Sequence, residues 1–100
     1  MAETNSKSGD KENENTIFIG KKPSLAYVLA AVTQFSDGRR EIRIKARGRA
    51  IQKAVDVAEI VRSRFVHDAK VRDIRIATEQ VQSEGRGKLN VSTIEIALAK

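Results

Sequence analysis

The chain has 100 residues, with 19 Lys and Arg against 13 Asp and Glu, and it contains no cysteine. A chain of this length makes one small domain whose core is marginal unless a second copy completes it, so we expect self-association. The lack of cysteine excludes disulfides and thiolate metal sites, and no apolar run is long enough to span a membrane or to form a secretory signal. We therefore expect a soluble cytoplasmic protein with no metal, no cofactor and no membrane partner.

The charge is distributed unevenly along the chain. Residues 1–15 hold two basic and four acidic side chains and no large apolar side chain after Met1, which predicts a disordered polar tail. Residues 16–100, the predicted folded domain, carry seventeen basic and nine acidic side chains, for a formal charge of +8. A field of that sign favours a polyanion such as nucleic acid.

The first predicted elements are a short buried strand over Thr16–Ile19, stopped by Gly20, and a helix. Pro23 is expected in the first turn of this helix, and the turn residues 36–38 should end it. Its apolar stripe is predicted to comprise Leu25, Val28, Leu29, Val32 and Phe35.

The middle of the chain predicts a second strand and a second helix. Glu41–Ala46 alternates between charged and apolar residues, as expected for a half-buried strand. The helix should run from about Arg49 to Phe65. Its predicted stripe comprises Ile51, Ala54, Val55, Ala58 and Val61, and Val57, Ile60 and Phe65 widen it into what we interpret as a partner surface.

From Lys70 onward the pattern predicts two long strands joined by a hairpin turn at Gln82–Lys88. The alternation changes phase between Val91 and Ile94, which predicts a bulge or a twist there. Arms of about twelve residues reach about 40 Å, so the hairpin should protrude. The resulting β-α-β-α-β-β order predicts an α+β two-layer sandwich, with two helices on one face of a mixed four-stranded sheet.

Two basic pairs precede the two predicted helices. Lys21 and Lys22 come before the first, and Arg47 and Arg49 flank Gly48 before the second. Free N–H groups and the helix dipole attract phosphate at such positions. Gly48 is expected to allow close backbone approach or a positive φ, and it also fits an ordinary turn glycine.

A third basic group lies at the predicted hairpin tip, where Arg86 and Lys88 flank a glycine. Seven of the fifteen residues from Arg39 to Lys53 are also basic. Separate basic sites on one small domain favour a polyanion partner, although they do not distinguish DNA from RNA.

Six motifs follow one another along the chain, and they are IGKKP at 19–23, KARGRAI at 45–51, KAVD at 53–56, EIVR at 59–62, RF at 64–65 and VSTIEI at 91–96. Together they resemble the Alba family of archaeal chromatin proteins. The resemblance covers residues 16–100 and implies a dimer, either a homodimer or a heterodimer with a paralogue. It implies a protein that coats, bridges and compacts double-stranded DNA with little sequence preference, that also binds RNA, and that associates with the chromosome.

The resemblance also implies roles for single residues. It assigns the central DNA-facing surface to Lys21, Lys22, Arg47, Gly48 and Arg49, and minor-groove contacts to the hairpin tips with Arg86 and Lys88. It assigns packing between dimers to Phe65 and makes Lys21 a candidate for acetylation that weakens DNA binding. The chain departs from the family in its unusually polar tail and in the low positive charge of its C-terminus, and both departures leave the core motifs intact.

Two other functions stay open from the sequence. The same resemblance permits an RNA-binding role, as a ribonuclease P-type subunit or an RNA chaperone. The four aromatic residues lie at apparently apolar positions, which argues against base stacking on single strands and leaves duplex RNA open. These residues are Phe18, Tyr27, Phe35 and Phe65. No nucleophile–His–acid set forms around the single His67 and no P-loop is present, so no enzymatic activity is predicted.

Overall fold

Residues 15–85 and 87–100 are described by a computed structural model, and they form four strands and two helices. In chain order these are β1 (Thr16–Phe18), α1 (Ser24–Ser36), β2 (Glu41–Arg47), α2 (Ile51–Ile60), β3 (Lys70–Ser83) and β4 (Gly87–Ala99). A 3-10 turn at Gly48–Ala50 leads into α2, and a π-helical turn at Val61–Phe65 follows it. The predicted element order is confirmed. Neither helix within these ranges is long and apolar enough to cross a membrane.

The sheet has the strand order β1-β2-β4-β3, with β1 parallel to β2 and the other two pairs antiparallel. Its core lies under the helices, where Ile42 and Ile44 of β2 stand opposite Leu98 and Ile96 of β4. The helices cover these side chains with Val28, Ala31 and Phe35 of α1 and with Ala54, Val57 and Ala58 of α2. The predicted inward face of β2 is therefore confirmed.

The other face of the sheet is covered by no helix in the described part of the chain, and we call it the open face. Because side chains alternate along a strand, the neighbours of the core residues point there. The open face comprises Phe18 of β1, Arg43, Lys45 and Arg47 of β2, Asp73, Arg75, Ala77 and Glu79 of β3, and Thr93, Glu95 and Ala97 of β4. The prediction that Phe18 lies in a buried strand is wrong for this residue, since 58% of it is exposed.

Helix α1 begins at Ser24, with Pro23 as its N-cap rather than within its first turn. Its predicted stripe is confirmed at Val28 and Phe35 and wrong at Leu25 and Leu29, which are more than half exposed. Ala31 completes the buried face, and Val28, Ala31 and Phe35 have equally helical spacing. A helix that is apolar on several sides offers more than one candidate stripe, and the small Ala31 lets the sheet approach closely.

Helix α2 differs from its prediction in a similar way. Val57, which we interpreted as surplus for a partner, is fully buried, whereas Val55 of the predicted stripe is exposed. The side chain of Phe65 is half exposed at the end of the π-helical turn. Val55 and Phe65 thus leave apolar side chains partly exposed to water.

The β3–β4 hairpin protrudes from the body of the domain. Pairing between β2 and β4 ends at Arg47 and Thr93, so residues 78–83 and 87–92 pair only with each other. These arms extend about 20 Å past the end of β2, at about 3.3 Å per residue. The turn is tighter than predicted, because the ladder reaches Ser83 opposite Gly87.

The predicted bulge in β4 is wrong. The ladder is continuous from Val91 to Ile94, and the irregularity lies in β3, between Val71 and Asp73. The phase change in the sequence has another cause. Where the arm leaves the helices, neither of its faces is buried in the domain, so the pattern there no longer marks the core side.

Most of the predicted tail, residues 1–14, lies outside the described residues, as does Arg86. Asn15, its last residue, is bonded to the domain. Its carbonyl oxygen accepts from the backbone N–H of Arg43 at 2.7 Å, and its Oδ1 accepts from Nη1 of Arg39 at 2.7 Å. Pairing with β2 therefore begins one residue before the predicted domain boundary.

Candidate nucleic-acid interface

The loop that carries Lys21 and Lys22 is held by the phenol of Tyr27. Tyr27 lies in the first turns of α1, and its hydroxyl oxygen accepts hydrogen bonds from the backbone N–H groups of Gly20 at 2.9 Å and Lys22 at 3.0 Å. One side chain thereby satisfies two amides of a loop that has no ladder partner for them. The loop is fixed relative to the start of α1.

Lys53, in the first turn of α2, holds the same loop from the other side. Its Nζ donates to the carbonyl oxygens of Gly20 at 3.1 Å and Lys22 at 2.7 Å, and it lies 5.9 Å from the ring centroid of Tyr27. The start of α2 therefore lies against the loop that precedes α1. The structure brings together the two basic pairs, which are more than twenty residues apart in sequence.

The backbone turn before α2 needs glycine. Gly48 has φ of +59°, which confirms the positive-φ expectation, and a Cβ at this position would lie 3.7 Å from Val91, in ordinary contact. Conformation rather than space therefore selects the glycine. Arg47 ends β2 in extended conformation and Arg49 lies within the 3-10 turn, and both side chains are exposed.

The cations of this cluster differ in their partners. Lys21, Lys22 and Arg49 are exposed, and none of them forms an ion pair within the described residues. Arg47 lies on the open face, where its Nη1 is 3.5 Å from Oε1 of Glu79 on β3. A phosphate that binds Arg47 must compete with this carboxylate. We call Lys21, Lys22, Arg47 and Arg49 the basic cluster.

The remaining predicted site residues lie away from the basic cluster. Lys88 is exposed on the hairpin, opposite Gln82, and Arg86 beside it lies outside the described residues. Phe65 lies at the far end of α2. His67 is exposed in the turn that follows, as expected for a histidine at a helix end.

Sequence reasoning missed Tyr27 and Lys53. Tyr27 had been assigned to an apolar position, and Lys53 had been counted only as one of the basic residues between Arg39 and Lys53. A usable signal existed for Lys53, which follows Arg49 by four residues and therefore lies on the same side of the helix start. Nothing in the sequence indicates that the phenol of Tyr27 reaches back to amides five and seven residues earlier.

Replacing Tyr27 with phenylalanine should loosen the lysine loop. The Tyr27→Phe variant loses the oxygen that accepts two N–H groups, so we expect faster amide exchange at Gly20 and Lys22 and a free energy of unfolding lower by about 0.5–1.5 kcal/mol. Amide exchange by NMR and urea denaturation would measure the two effects. Thr33→Val, which removes an exposed hydroxyl elsewhere on α1, should leave both amides unchanged. Unaltered exchange in Tyr27→Phe would contradict this role.

Comparison with known proteins identifies relatives across nearly the whole described chain. The Alba family profile matches residues 15–78. The chain is 62% identical over 87 residues to the DNA/RNA-binding protein Alba 1 of Archaeoglobus fulgidus, which covers 87% of this chain and 97% of that protein. It is 59% identical over 87 residues to the DNA/RNA-binding protein Alba of Thermoplasma volcanium, with the same coverage.

Solved structures are similar as well. Alba from Thermoplasma volcanium superimposes with a TM-score of 0.83 at 57% identity, over 86% of this chain and 100% of that one. ALBA1 from Trypanosoma brucei superimposes with a TM-score of 0.71 at 25% identity, over 86% of this chain and 68% of that one. The α+β sandwich with a four-stranded mixed sheet is thus shared with both structures.

Proposed function

Since the chain belongs to the Alba family, we propose that it binds double-stranded DNA, largely without regard to sequence, and that it coats and compacts the chromosome in the cytoplasm. The names of its relatives, DNA/RNA-binding proteins, support the ligand class. The observation that carries the proposal is the set of hydrogen bonds from Tyr27 and Lys53, which hold the loop of Lys21 and Lys22 against the start of α2, where Arg47 and Arg49 lie.

The chemistry of the basic cluster suits phosphate rather than bases. Lysine and arginine neutralise phosphates without reading sequence, and the positive dipole end of each helix also favours an anion. Contacts to the backbone fix the position of a protein on the duplex but carry no sequence information. Weak sequence preference follows from this arrangement.

We propose that the active species is a homodimer, joined through the helix-side face of the edge strand β3. Val71, Ile74 and Ile76 lie on this face, with Ile74 54% and Ile76 78% exposed. A row of large aliphatic side chains in water is unfavourable on a small domain and is typical of an interface. A two-fold axis would double the basic cluster to about eight cations. A heterodimer with a paralogue would use the same face.

The other predicted residues have supporting roles in this proposal. The hairpin arms extend toward the minor groove, where Lys88 and Arg86 are predicted to make contacts. Exposed Phe65 packs between neighbouring dimers along DNA, which favours coating and bridging. Acetylation of exposed Lys21 would remove one phosphate-binding charge from each protomer. Exposure of Lys21, Phe65 and Lys88 is consistent with these roles.

RNA is the second candidate ligand, because the names of the relatives include it. A role as a ribonuclease P-type subunit or as an RNA chaperone would use the same basic cluster, since RNA offers the same phosphates. Competition between duplex DNA and duplex RNA at fixed salt, with sequencing of the nucleic acids bound in cells, distinguishes the two ligands.

Removing the two arginines should weaken duplex binding and its salt dependence together. Eight neutralised phosphates per dimer predict a log–log salt slope of about −6 to −8, and an Arg47→Ala, Arg49→Ala variant should show about half that slope. Fluorescence anisotropy with a labelled duplex over a salt series would measure it. An Arg40→Ala, Lys100→Ala variant loses the same charge at the opposite end of β2 and should keep the slope. Equal slopes in the two variants would refute the basic cluster as the phosphate site.

Neutralising Glu79 should strengthen duplex binding. The Glu79→Gln variant releases Arg47 from an exposed ion pair worth up to about 1 kcal/mol, so we expect an increase in affinity of about two- to fivefold at fixed salt. Asp73→Asn is the matched control, because it removes one carboxylate from the same strand and face, where it pairs with Arg75. An equal gain from both variants would mean that only net charge matters.

Lysine at positions 74 and 76 should break the dimer. The Ile74→Lys, Ile76→Lys variant places four charges in the proposed interface, which desolvation and repulsion make unfavourable. Light scattering after size exclusion should report a folded monomer. Leu25→Lys, Leu29→Lys, with comparable exposed leucines on α1, should remain dimeric. A monomer in that variant and a dimer in the first would move the interface to α1.

A further inference from the structure

An exposed aromatic ring on the open face is not used by the proposed duplex contacts. Phe18 ends β1 with 58% of its surface exposed, and its ring centroid lies 5.9 Å from Nζ of Lys45 on the neighbouring strand. Within the described residues no helix covers it. Sites that stack a nucleobase combine an exposed aromatic ring with nearby cations, and Phe18 and Lys45 provide both.

The ring borders a shallow concavity of about 650 Å³ on the open face. Phe18 and Ile19 line one end of it, and Arg75, Ala77 and Glu79 of β3 line the other. Small side chains such as Ala77 leave the floor open above the strands, so a flat ring system has room to lie against Phe18. Volumes of this size are typical of sites for small planar ligands.

The charges of this concavity suit bases over its floor and phosphates at its rim. Its cations are Lys45, Arg47 and Arg75, and its anions are Glu79 and Glu95. Glu95 pairs with Lys45 at 3.6 Å and Glu79 with Arg47 at 3.5 Å, which leaves the floor close to neutral. The rim toward the basic cluster is strongly positive. A ligand whose backbone is anionic and whose side groups are neutral and aromatic matches this pattern.

The concavity is continuous with the basic cluster. Arg47 belongs to both, and only Ile19 and Gly20 separate Phe18 from Lys21, a distance along the chain of at most about 10 Å. A nucleic-acid strand whose phosphates are bound by the basic cluster therefore passes close to the Phe18 ring. In a duplex the base faces are stacked inside the helix, whereas a single strand presents them to the protein.

We infer that the open face around Phe18 stacks a base of single-stranded nucleic acid, DNA or RNA, whose phosphates are held by the basic cluster. This site rests on the proposed nucleic-acid binding and extends it from duplexes to single strands. It reverses the expectation that the aromatic residues are unsuited to stacking, because that expectation assumed that Phe18 is buried. A duplex and a single strand make the same phosphate contacts, but only the single strand stacks a base on the Phe18 ring.

The test compares single strands with a duplex in a Phe18→Ala variant. Its affinity for labelled dT20 and rU20, which form no base pairs with themselves, should fall by at least about fivefold, which corresponds to about 1 kcal/mol of stacking. Its affinity for a 20-base-pair duplex should stay within about twofold. Leu25→Ala, which truncates another residue that is 58% exposed, should change neither affinity.

A second variant gives a direct signal of stacking. The chain contains no tryptophan, so Phe18→Trp introduces a single reporter on the open face. Its emission should be quenched by dT20 and rU20 and much less by the duplex, with single-strand affinity retained. Before any ligand is added, its emission should be that of a tryptophan in water.

Four outcomes would overturn the inference. They are unchanged single-strand affinity in Phe18→Ala, equal loss for single strands and duplex, loss for only one of dT20 and rU20, and a shielded tryptophan that shows a second copy on the open face. Failure of the proposed function is distinguishable, because it would appear in the unaltered protein as absent duplex binding.

Discussion

The candidate interface depends on the hydrogen bonds by which Tyr27 and Lys53 hold the loop before α1, which we call the clamp. Four hydrogen bonds, two accepted by the Tyr27 hydroxyl and two donated by Lys53, join residues 20–22 to both helices. Bonds of this kind each contribute modestly in water, so their value lies in position more than in stability. A loop fixed in this way presents Lys21 and Lys22 beside Arg49 without an ordering cost at the moment of binding.

The clamp also explains how one lysine differs from its neighbours. Lys53 is part of the same basic segment as Arg47 and Arg49, yet its ammonium group is bonded to two carbonyl oxygens inside the protein. It adds positive potential to the site while it is held away from direct phosphate contact. A count of basic residues in the segment therefore overstates the number of phosphate ligands. Position in the hydrogen-bond network separates this structural cation from the candidate phosphate-binding ones.

Local patterns predicted the elements well where one physical constraint dominated. The alternation in β2 identified its buried face, because a half-buried strand admits only one register. Gly48 was informative because a positive φ strongly favours glycine. The helix stripes were wrong at Leu25, Leu29 and Val55, because α1 is apolar on several sides and the sequence holds no information on which side of a helix meets the sheet. The phase change in β4 misled us because the hairpin arm has no buried face in the domain.

The candidate site residues also divide into those that a local sequence pattern predicts and those that depend on tertiary structure. The basic cluster was predictable, because cations before a helix have a local meaning that charge and spacing reveal. The pairing of Arg47 with Glu79 was not, since it joins residues 32 apart through strand order and the protrusion of β3. The exposure of Phe18 was equally hidden, because an apolar run at a sheet edge reads as core. Both depend on which faces of the sheet receive helices, a tertiary property.

The fold assigns different physical tasks to different surfaces of one small sheet. The helix-side face of β3 is aliphatic, which suits permanent contact with another copy, because burial of Ile74 and Ile76 is favourable irrespective of salt. The basic cluster at the helix starts is charged, and its contacts weaken as salt rises. The open face between them balances Arg43, Lys45 and Arg47 against carboxylates of neighbouring strands, so it repels neither sign strongly. The proposed dimer contact and the proposed phosphate contacts should thus respond to different conditions, and a rise in salt that weakens binding at the basic cluster should leave an aliphatic interface intact.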